Sequence, residues 1–214
     1  MITSAVPQHF FSPLTLSLPQ EAQITLPPHT ILYKQGEPVT HLFFILSGIV
    51  KLTHTPSSGN ARLVHLAGAG DALGFGDLVT GSHQYTATIA EPLQAYRISK
   101  ETLLHPAKLS PSTRYSLFFQ LERQFSSLEQ QLKYLFIAPA PKRIAQILRM
   151  LYLRFGMDPE GFLRPPLTRD ELAQLCRISR RTLFRVLHQW EEAGWVLRKG
   201  SRLRILNWTA LLQQ

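Results

Sequence analysis

Three arginines fall within one short run of this chain, SRRTLFRVLHQW: Arg180, Arg181 and Arg185. A guanidinium is a fixed cation carrying a planar fork of donors. It can donate two hydrogen bonds at once to O6 and N7 of a guanine. Just upstream and within the run lie Thr168, Arg169, Ser179 and Thr182, groups suited to phosphate oxygens. Phe184 stands among the arginines and is out of place on a solvent face. It could touch a thymine methyl or pack against whatever follows the helix. The chemistry offered is recognition of double-stranded DNA, not bond making. The plainer alternative is a solvated basic helix on an ordinary domain.

The elements that must hold these residues can be read from spacing. In TRDELAQLCRISRRTLFRVLHQW, Thr168 is a good N-cap and Glu171 follows three residues later, which makes a capping box. Leu172 and Leu175 give the first helix an inward face. Arg177-Ile178 carries a tight turn and Ser179 caps a second helix. There Leu183, Val186, Leu187 and Trp190 recur at helical spacing and are expected to be buried, with Arg180, Arg181, Phe184, Arg185 and His188 on the other face. Gly194 stops the helix. Trp195-Val196-Leu197 and Leu203-Arg204-Ile205-Leu206 then read as two strands joined by Arg198-Lys199-Gly200-Ser201-Arg202. Two helices and a tight turn with a basic hairpin behind them make a winged helix-turn-helix. Its second helix enters the major groove, and Lys199 and Arg202 of the wing are expected on phosphates.

Charge is distributed accordingly. Residues 138–214 hold 14 Lys and Arg against 6 Asp and Glu, an excess of +8, while residues 1–137 hold 9 against 8. Nearly all of the net +9 therefore sits on the last third, the footprint of a polyanion-binding surface. A membrane-surface role would also accept basic charge, but no basic amphipathic helix or lipidation site accompanies it. No run approaches the ~20 apolar residues of a membrane span, and the start of the chain lacks the pattern of a secretory signal. A single cysteine, Cys176, cannot form an internal disulfide, which fits a reducing, cytoplasmic setting. It reads as a small buried hydrophobe, not a redox switch.

The first two thirds have a different grain. Residues 1–20 carry Pro7, Pro13 and Pro19 and read as a poorly ordered lead-in. From Ile24 to about Ile98, short apolar runs alternate with glycine and proline turns: 31–33, 41–46 ending at Ser47-Gly48, 49–53, 62–66, 85–89 and 95–98. Many short strands of this kind predict a β-sandwich or jelly roll. A long helix follows. Phe118, Leu121, Phe125, Leu128, Leu132 and Leu135 recur at alternating spacings of three and four, a heptad seam that suits a parallel homodimer. Packing of part of the stripe on its own β-domain is the alternative. Ala138-Pro139-Ala140-Pro141 breaks the helix as a hinge, and a further helix begins near Lys142 with Ile144, Ile147, Leu148, Leu151 and Tyr152 inward.

These parts in this order resemble the CRP/FNR family of bacterial transcription regulators, from about Ile24 to Leu206. The resemblance is carried by LYKQGEPVTHLFFILSGIVKL, by GAGDALGFGDL, by the long helix and by TRDELAQLCRISRRTLFRVL. It implies a homodimer on a two-fold symmetric DNA site, contact with RNA polymerase, and an effector pocket between the jelly roll and the long helix. It also implies that Arg180 and Arg185 read bases. Arg181 stands where many members have glutamate, which accepts from cytosine N4 as arginine cannot. Arg177 stands where the turn often has glycine. Members that bind cyclic AMP carry a glutamate after the loop glycine and an arginine–serine pair for the phosphate. Here Gly74 is followed by Phe75 and the pair is Tyr85-Thr86, so useful affinity for cyclic AMP is not expected. Gly74, Phe75, Gly76, Tyr85 and Thr86 remain the expected effector pocket, for another small molecule, a carboxylate-like anion, or nothing, with a protein co-regulator in its place.

Other chemistry finds little support. Seven of the eight histidines lie in residues 1–137, including His41, His54, His65 and His83, and read as scattered surface groups; a haem or metal sensor is the alternative. Asp71 and Asp77 flank the glycine loop and read as strand terminators and turn caps. No phosphate-binding Walker loop, GxSxG or HExxH motif is present. The expectation is an α+β chain, not an enzyme, with no cofactor and no metal: an N-terminal effector-type β jelly roll over 1–109, a dimerisation helix over 110–138 and a winged helix over 139–214. The competing expectation is an effector- or protein-interaction module that has lost sequence-specific DNA reading.

Overall fold

The structure, a computed structural model, describes residues 23–105, 109–136 and 139–213. The lead-in expected over residues 1–20 lies outside them. The chain divides into two compact units, Met1–Ser127 and Leu128–Gln214. The division falls inside the long helix, where the sequence reading had set the helix apart as a segment of its own.

In the first unit β1 (Gln23–Leu26), β2 (Ile31–Tyr33), β3 (His41–His54), β4 (Arg62–Gly68), β5 (Ala72–Leu73) and β6 (Thr86–Ser99) form one antiparallel sheet. β3 and β6 are its centre: β6 carries β1 and β2, and β3 carries β4 and β5. The unbroken apolar run of β3 follows from burial on both faces. Phe43 and Ile45 enter one apolar cluster with Val50, Leu73, Ile89 and Leu93. Leu42 and Phe44, on the opposite face, enter another with Ala72, Ile98, Leu109 and Leu117. The period of two is thus present, but neither side of it is polar.

Two strand boundaries read from sequence are corrected. Residues 41–46 and 49–53 are one strand, and Ser47-Gly48 is a bulge instead of a turn; the β3–β6 register shifts there at several points. Gly48 has φ +96°, and a Cβ on it would stand 2.3 Å from the Pro92 carbonyl oxygen of β6. Only glycine allows the two backbones this approach. Residues 86–89 and 95–98 likewise join into β6 across Pro92, and Tyr85 lies just before the strand.

Ser99 accepts a hydrogen bond from the Thr102 amide and starts a short helix, α1 (Lys100–Leu104), that the sequence reading had not resolved. The long helix α2 spans Pro111–Leu135. It buries Thr113 and Leu117, while Phe118, Leu121, Phe125 and Leu132 of the heptad seam are exposed in the single chain. The side chains of Leu128 and Leu135 lie outside the described residues.

In the second unit α3 (Ala140–Phe155) buries Ile144, Ala145, Ile147, Leu148 and Leu151. Of the expected hinge, Ala138 lies outside the described residues and Pro139 is the N-cap. Pro141 sits in the first turn of α3, where its missing N–H costs nothing. α4 (Arg169–Leu175), α5 (Arg180–Glu192), β7 (Val196–Lys199) and β8 (Arg202–Ile205) follow as helix, turn, helix and hairpin. A last helix, α6 (Trp208–Leu212), was also not foreseen. Asn207 caps it, accepting from the Ala210 amide at 3.0 Å, and Trp208 packs on Tyr152 of α3.

Candidate nucleic-acid interface

α4 begins with the full capping box: Thr168 Oγ1 accepts from the Glu171 amide at 3.1 Å, and the Glu171 carboxylate accepts from the Thr168 amide at 2.8 Å. The turn after it closes because Arg177 adopts a left-handed backbone, φ +51°. A non-glycine residue there carries some strain. Local bonds hold the turn: the Arg177 amide donates to the Gln174 carbonyl and the Ile178 amide to the Ala173 carbonyl, each at 3.1 Å. Arg143 of α3 donates to the Cys176 and Arg177 carbonyls at 3.5 and 3.4 Å, covering acceptors that α4 leaves open. The sequence reading missed this role, since nothing near Arg143 signals it. Cys176 is fully buried in this turn, and burial pushes its thiol pKa up to about 12, so the thiol is inert at neutral pH.

Ser179 accepts from the Thr182 amide at 3.0 Å and starts α5. Leu183, Val186, Leu187 and Trp190 are all buried. That leaves Arg180, Arg181, Phe184, Arg185 and His188 together on the exposed face. Arg180 makes a 3.3 Å ion pair with Asp170, both side chains more than half exposed, a contact worth little in water. Among the described residues Arg181 and Arg185 have no carboxylate partner.

Phe184 is 46% exposed. Its ring lies 5.3 Å from the Arg169 guanidinium carbon, 5.8 Å from that of Arg198 and 6.1 Å from the His188 ring. Contact with the hairpin is therefore made, through Arg198, yet nearly half of the ring stays free. Arg198 is itself tied to Glu191 by two hydrogen bonds, one of 2.9 Å from Nε and one from Nη2.

The two wing cations differ. Lys199 is exposed. Arg202, expected on phosphates, is held within the protein: Nη2 lies 2.7 Å from Asp158 and 2.9 Å from Glu160, and the guanidinium covers the Phe162 ring at 4.1 Å. Arg204 covers the same ring at 4.8 Å and donates to the Glu160 carbonyl. The loop before α4 is thereby fastened to β8, with the Leu163 amide donating to the Leu203 carbonyl at 2.8 Å.

In the first unit Gly74 has φ +88° and opens a single 3-10 turn over Phe75–Asp77. The Phe75 ring meets Phe44 edge-on at 5.5 Å and packs on the apolar cluster beneath; Gly76 is exposed. Tyr85 meets the His54 ring edge-on at 6.1 Å, and the Thr86 hydroxyl accepts from the Gln35 amide at 3.0 Å. Asp71 caps its turn as expected, accepting from the Gly68 amide at 2.7 Å. His83 does not fit the surface reading, and Asp77, read as a turn cap, is buried beside it. His83 is itself buried, its Nδ1 lies 3.0 Å from Asp77 Oδ2, and its ring stacks on Tyr33 at 3.6 Å. Asp77 also accepts from the Gln84 amide at 3.3 Å, which joins the glycine loop to the segment before Tyr85. Among the described residues no three His, Cys, Asp or Glu stand where they could hold a metal ion, and no helix is long and apolar enough to cross a membrane.

The carboxylates of the hairpin give a pH dependence with a definite sign. A hydrogen bond from the Phe162 amide, reinforced by Arg202, holds Asp158 below the usual carboxylate range. Hydrogen bonds from Arg202 and Arg198 do the same for Glu160 and Glu191. Folded pKa values below the unfolded ones mean stability that is complete above the ordinary carboxylate range and lost as pH falls through the lowered values. The urea midpoint should therefore fall between about pH 5 and about pH 3, and should fall less in Arg202→Gln. Equal falls in both proteins would mean that the Arg202 pairs with Asp158 and Glu160 contribute nothing.

Comparison with known proteins places this geometry. The cyclic nucleotide-binding domain model matches residues 23–106 and the Crp-like helix-turn-helix domain model matches residues 142–214. A CRP-like cAMP-activated global transcriptional regulator of Mycobacterium tuberculosis is 30% identical over 182 residues, covering 83% of this chain and 80% of that protein. The cyclic AMP receptor protein of Thermus thermophilus is 30% identical over 191 residues, 86% of each chain. The solved structure of TTHB099, a CRP-family transcriptional regulator of Thermus thermophilus, has the same fold, with a TM-score of 0.75 at 18% identity over 89% of this chain and 95% of that one. With both domain models matched in order and the arginine face exposed on the second helix of the turn, the chain belongs to the CRP/FNR family of DNA-binding transcription regulators.

Proposed function

We propose that this regulator acts as a homodimer on a palindromic DNA site, reads it with Arg180, Arg181 and Arg185 of α5, and does so without cyclic AMP. The observation that carries this reading is the state of α5. Its apolar stripe is buried, its N-terminus is capped, and two of its three arginines have no partner among the described residues. Thr168, Arg169, Ser179, Thr182 and Lys199 serve the phosphates. Arg202 is assigned to holding the wing, since two carboxylates already occupy it. The exposed Phe118, Leu121, Phe125 and Leu132 of α2 support a seam between two copies, and RNA polymerase is the further partner that the family resemblance implies.

Purified protein without added ligand, offered genomic fragments at physiological salt, should select a palindromic motif. Arg180→Ala and Arg185→Ala should lose discrimination between selected and random DNA, at about 1–3 kcal/mol per lost base contact. Lys199→Ala should weaken binding to both alike and reduce the salt dependence. Recovery of no motif would instead fit a module that has lost its reading. In sedimentation, Phe125→Lys should turn dimers into monomers; dimers that survive would place the seam elsewhere.

Two relatives take cyclic AMP by name, and this chain departs from them at the loop. Phe75 stands where a carboxylate would take the ribose and is engaged with the Phe44 ring, and Tyr85-Thr86 offers no guanidinium to a cyclic phosphate. Titration calorimetry with cyclic AMP is expected to show no saturable binding, and selection of the DNA motif should not change when the nucleotide is present. Tight binding, or a motif that appears only with cyclic AMP, would reverse this part of the reading.

A further inference from the structure

A cleft of about 350 Å³ opens in the first unit away from the glycine loop; none of Gly74, Phe75, Gly76, Tyr85 or Thr86 lines it. Ile24 and Leu26 of β1, Leu32 of β2 and Phe43 of β3 form apolar walls, and Tyr33, His41 and Arg97 are among its polar groups, beside Thr30, Glu37, Thr40 and His83. A volume near the lower end of small-molecule sites, lined in about equal share by polar and apolar groups, suits a small ligand that carries both.

Two of those polar groups are incompletely used. Tyr33 is only 6% exposed, and its ring is held by His83, yet its hydroxyl has no hydrogen-bond partner among the described residues. The hydroxyl is not sealed from solvent: it is open at the cleft, where water or a ligand can accept its hydrogen bond. Burial and the charge of Asp77 keep that phenol protonated, hence a donor. Arg97 is the second. Its guanidinium meets only His41 Nδ1, at 3.5 Å, and no carboxylate among the described residues. Burial and the Arg97 charge lower the His41 pKa, which leaves that ring neutral and Arg97 as the fixed cation. The one carboxylate lining the cleft, Glu37, is spent on the Lys34 amide at 2.8 Å.

A guanidinium and a protonated phenol beside an apolar wall want an acceptor-only anion attached to a short apolar body. We propose that this cleft binds a small amphipathic monocarboxylate, its carboxylate on Arg97 and Tyr33 and its apolar part against Ile24, Leu26 and Leu32. The site is independent of the DNA reading. Its tie to the rest of the unit is Tyr33, which stacks on His83, whose other contact is Asp77 of the glycine loop.

Octanoate and phenylacetate, with octanol and 2-phenylethanol as neutral counterparts, can be titrated into the full chain by calorimetry and thermal melting. Saturable binding and a raised melting temperature are expected for the acids and not for the alcohols at equal concentration. Arg97→Gln, at an exposed position, should weaken the acids at least about tenfold without unfolding the chain, and Tyr33→Phe should weaken them by a smaller factor. The proposal is overturned if neither acid binds, if acids and alcohols bind equally, or if Arg97→Gln binds as the wild type does.

Discussion

Burial of one stripe, Leu183, Val186, Leu187 and Trp190, decides what this molecule can do with the rest of α5. A helix has one direction for each side chain. Once those four residues are committed to the interior, Arg180, Arg181, Phe184 and Arg185 can only face out. The stripe also fixes how much the neighbouring elements must do. Ser179 has to cap the helix where the stripe begins, and Arg177 has to enter the left-handed region for the chain to turn from α4 into α5. Arg143 has to reach the turn from α3 to satisfy its carbonyls. The exposed arginine face is therefore the remainder of a packing problem solved inside the second unit.

Electrostatics then divides the basic residues of this unit into two groups. Arg198, Arg202 and Arg204 are engaged by Glu191, Asp158 and the Glu160 loop, or lie over Phe184 and Phe162. They shape the hairpin and hold the loop before α4. Arg181, Arg185 and Lys199 keep their charge for a partner. A count of +8 over residues 138–214 overstates the charge available to DNA, because pairs made within the protein must first be broken to serve a phosphate.

How much of this could be seen in the sequence depended on the range of the contacts involved. The α4–turn–α5–hairpin module was legible almost residue by residue, since capping, helical period and turn chemistry all act over a few positions. The β-rich unit was legible as a class, but β3 and β6 were each cut in two. A glycine or proline in a bulge looks the same in sequence as one in a turn, and only the approach of Gly48 to Pro92 separates them. Burial of His83 had no local signal, being set by Tyr33 and Asp77. The holding of Arg202 depends on carboxylates more than forty residues away in sequence. The glycine loop shows the same division. Phe75 after Gly74 and the Tyr85-Thr86 pair could be read directly, while the Tyr33, His41 and Arg97 cleft arises only when three strands come together.

The most direct test of the arginine face acts on the DNA instead of the protein. In a selected site, each guanine can be replaced in turn by 7-deazaguanine, which removes the N7 acceptor and leaves base pairing intact. Binding by the wild-type protein should drop at one or more guanines, placed symmetrically in the two half-sites if it binds as the proposed dimer. Arg180→Ala or Arg185→Ala should be indifferent to the same replacement at its own guanine. If no guanine matters, or if the variants respond as the wild type does, α5 does not read the major groove through its arginines.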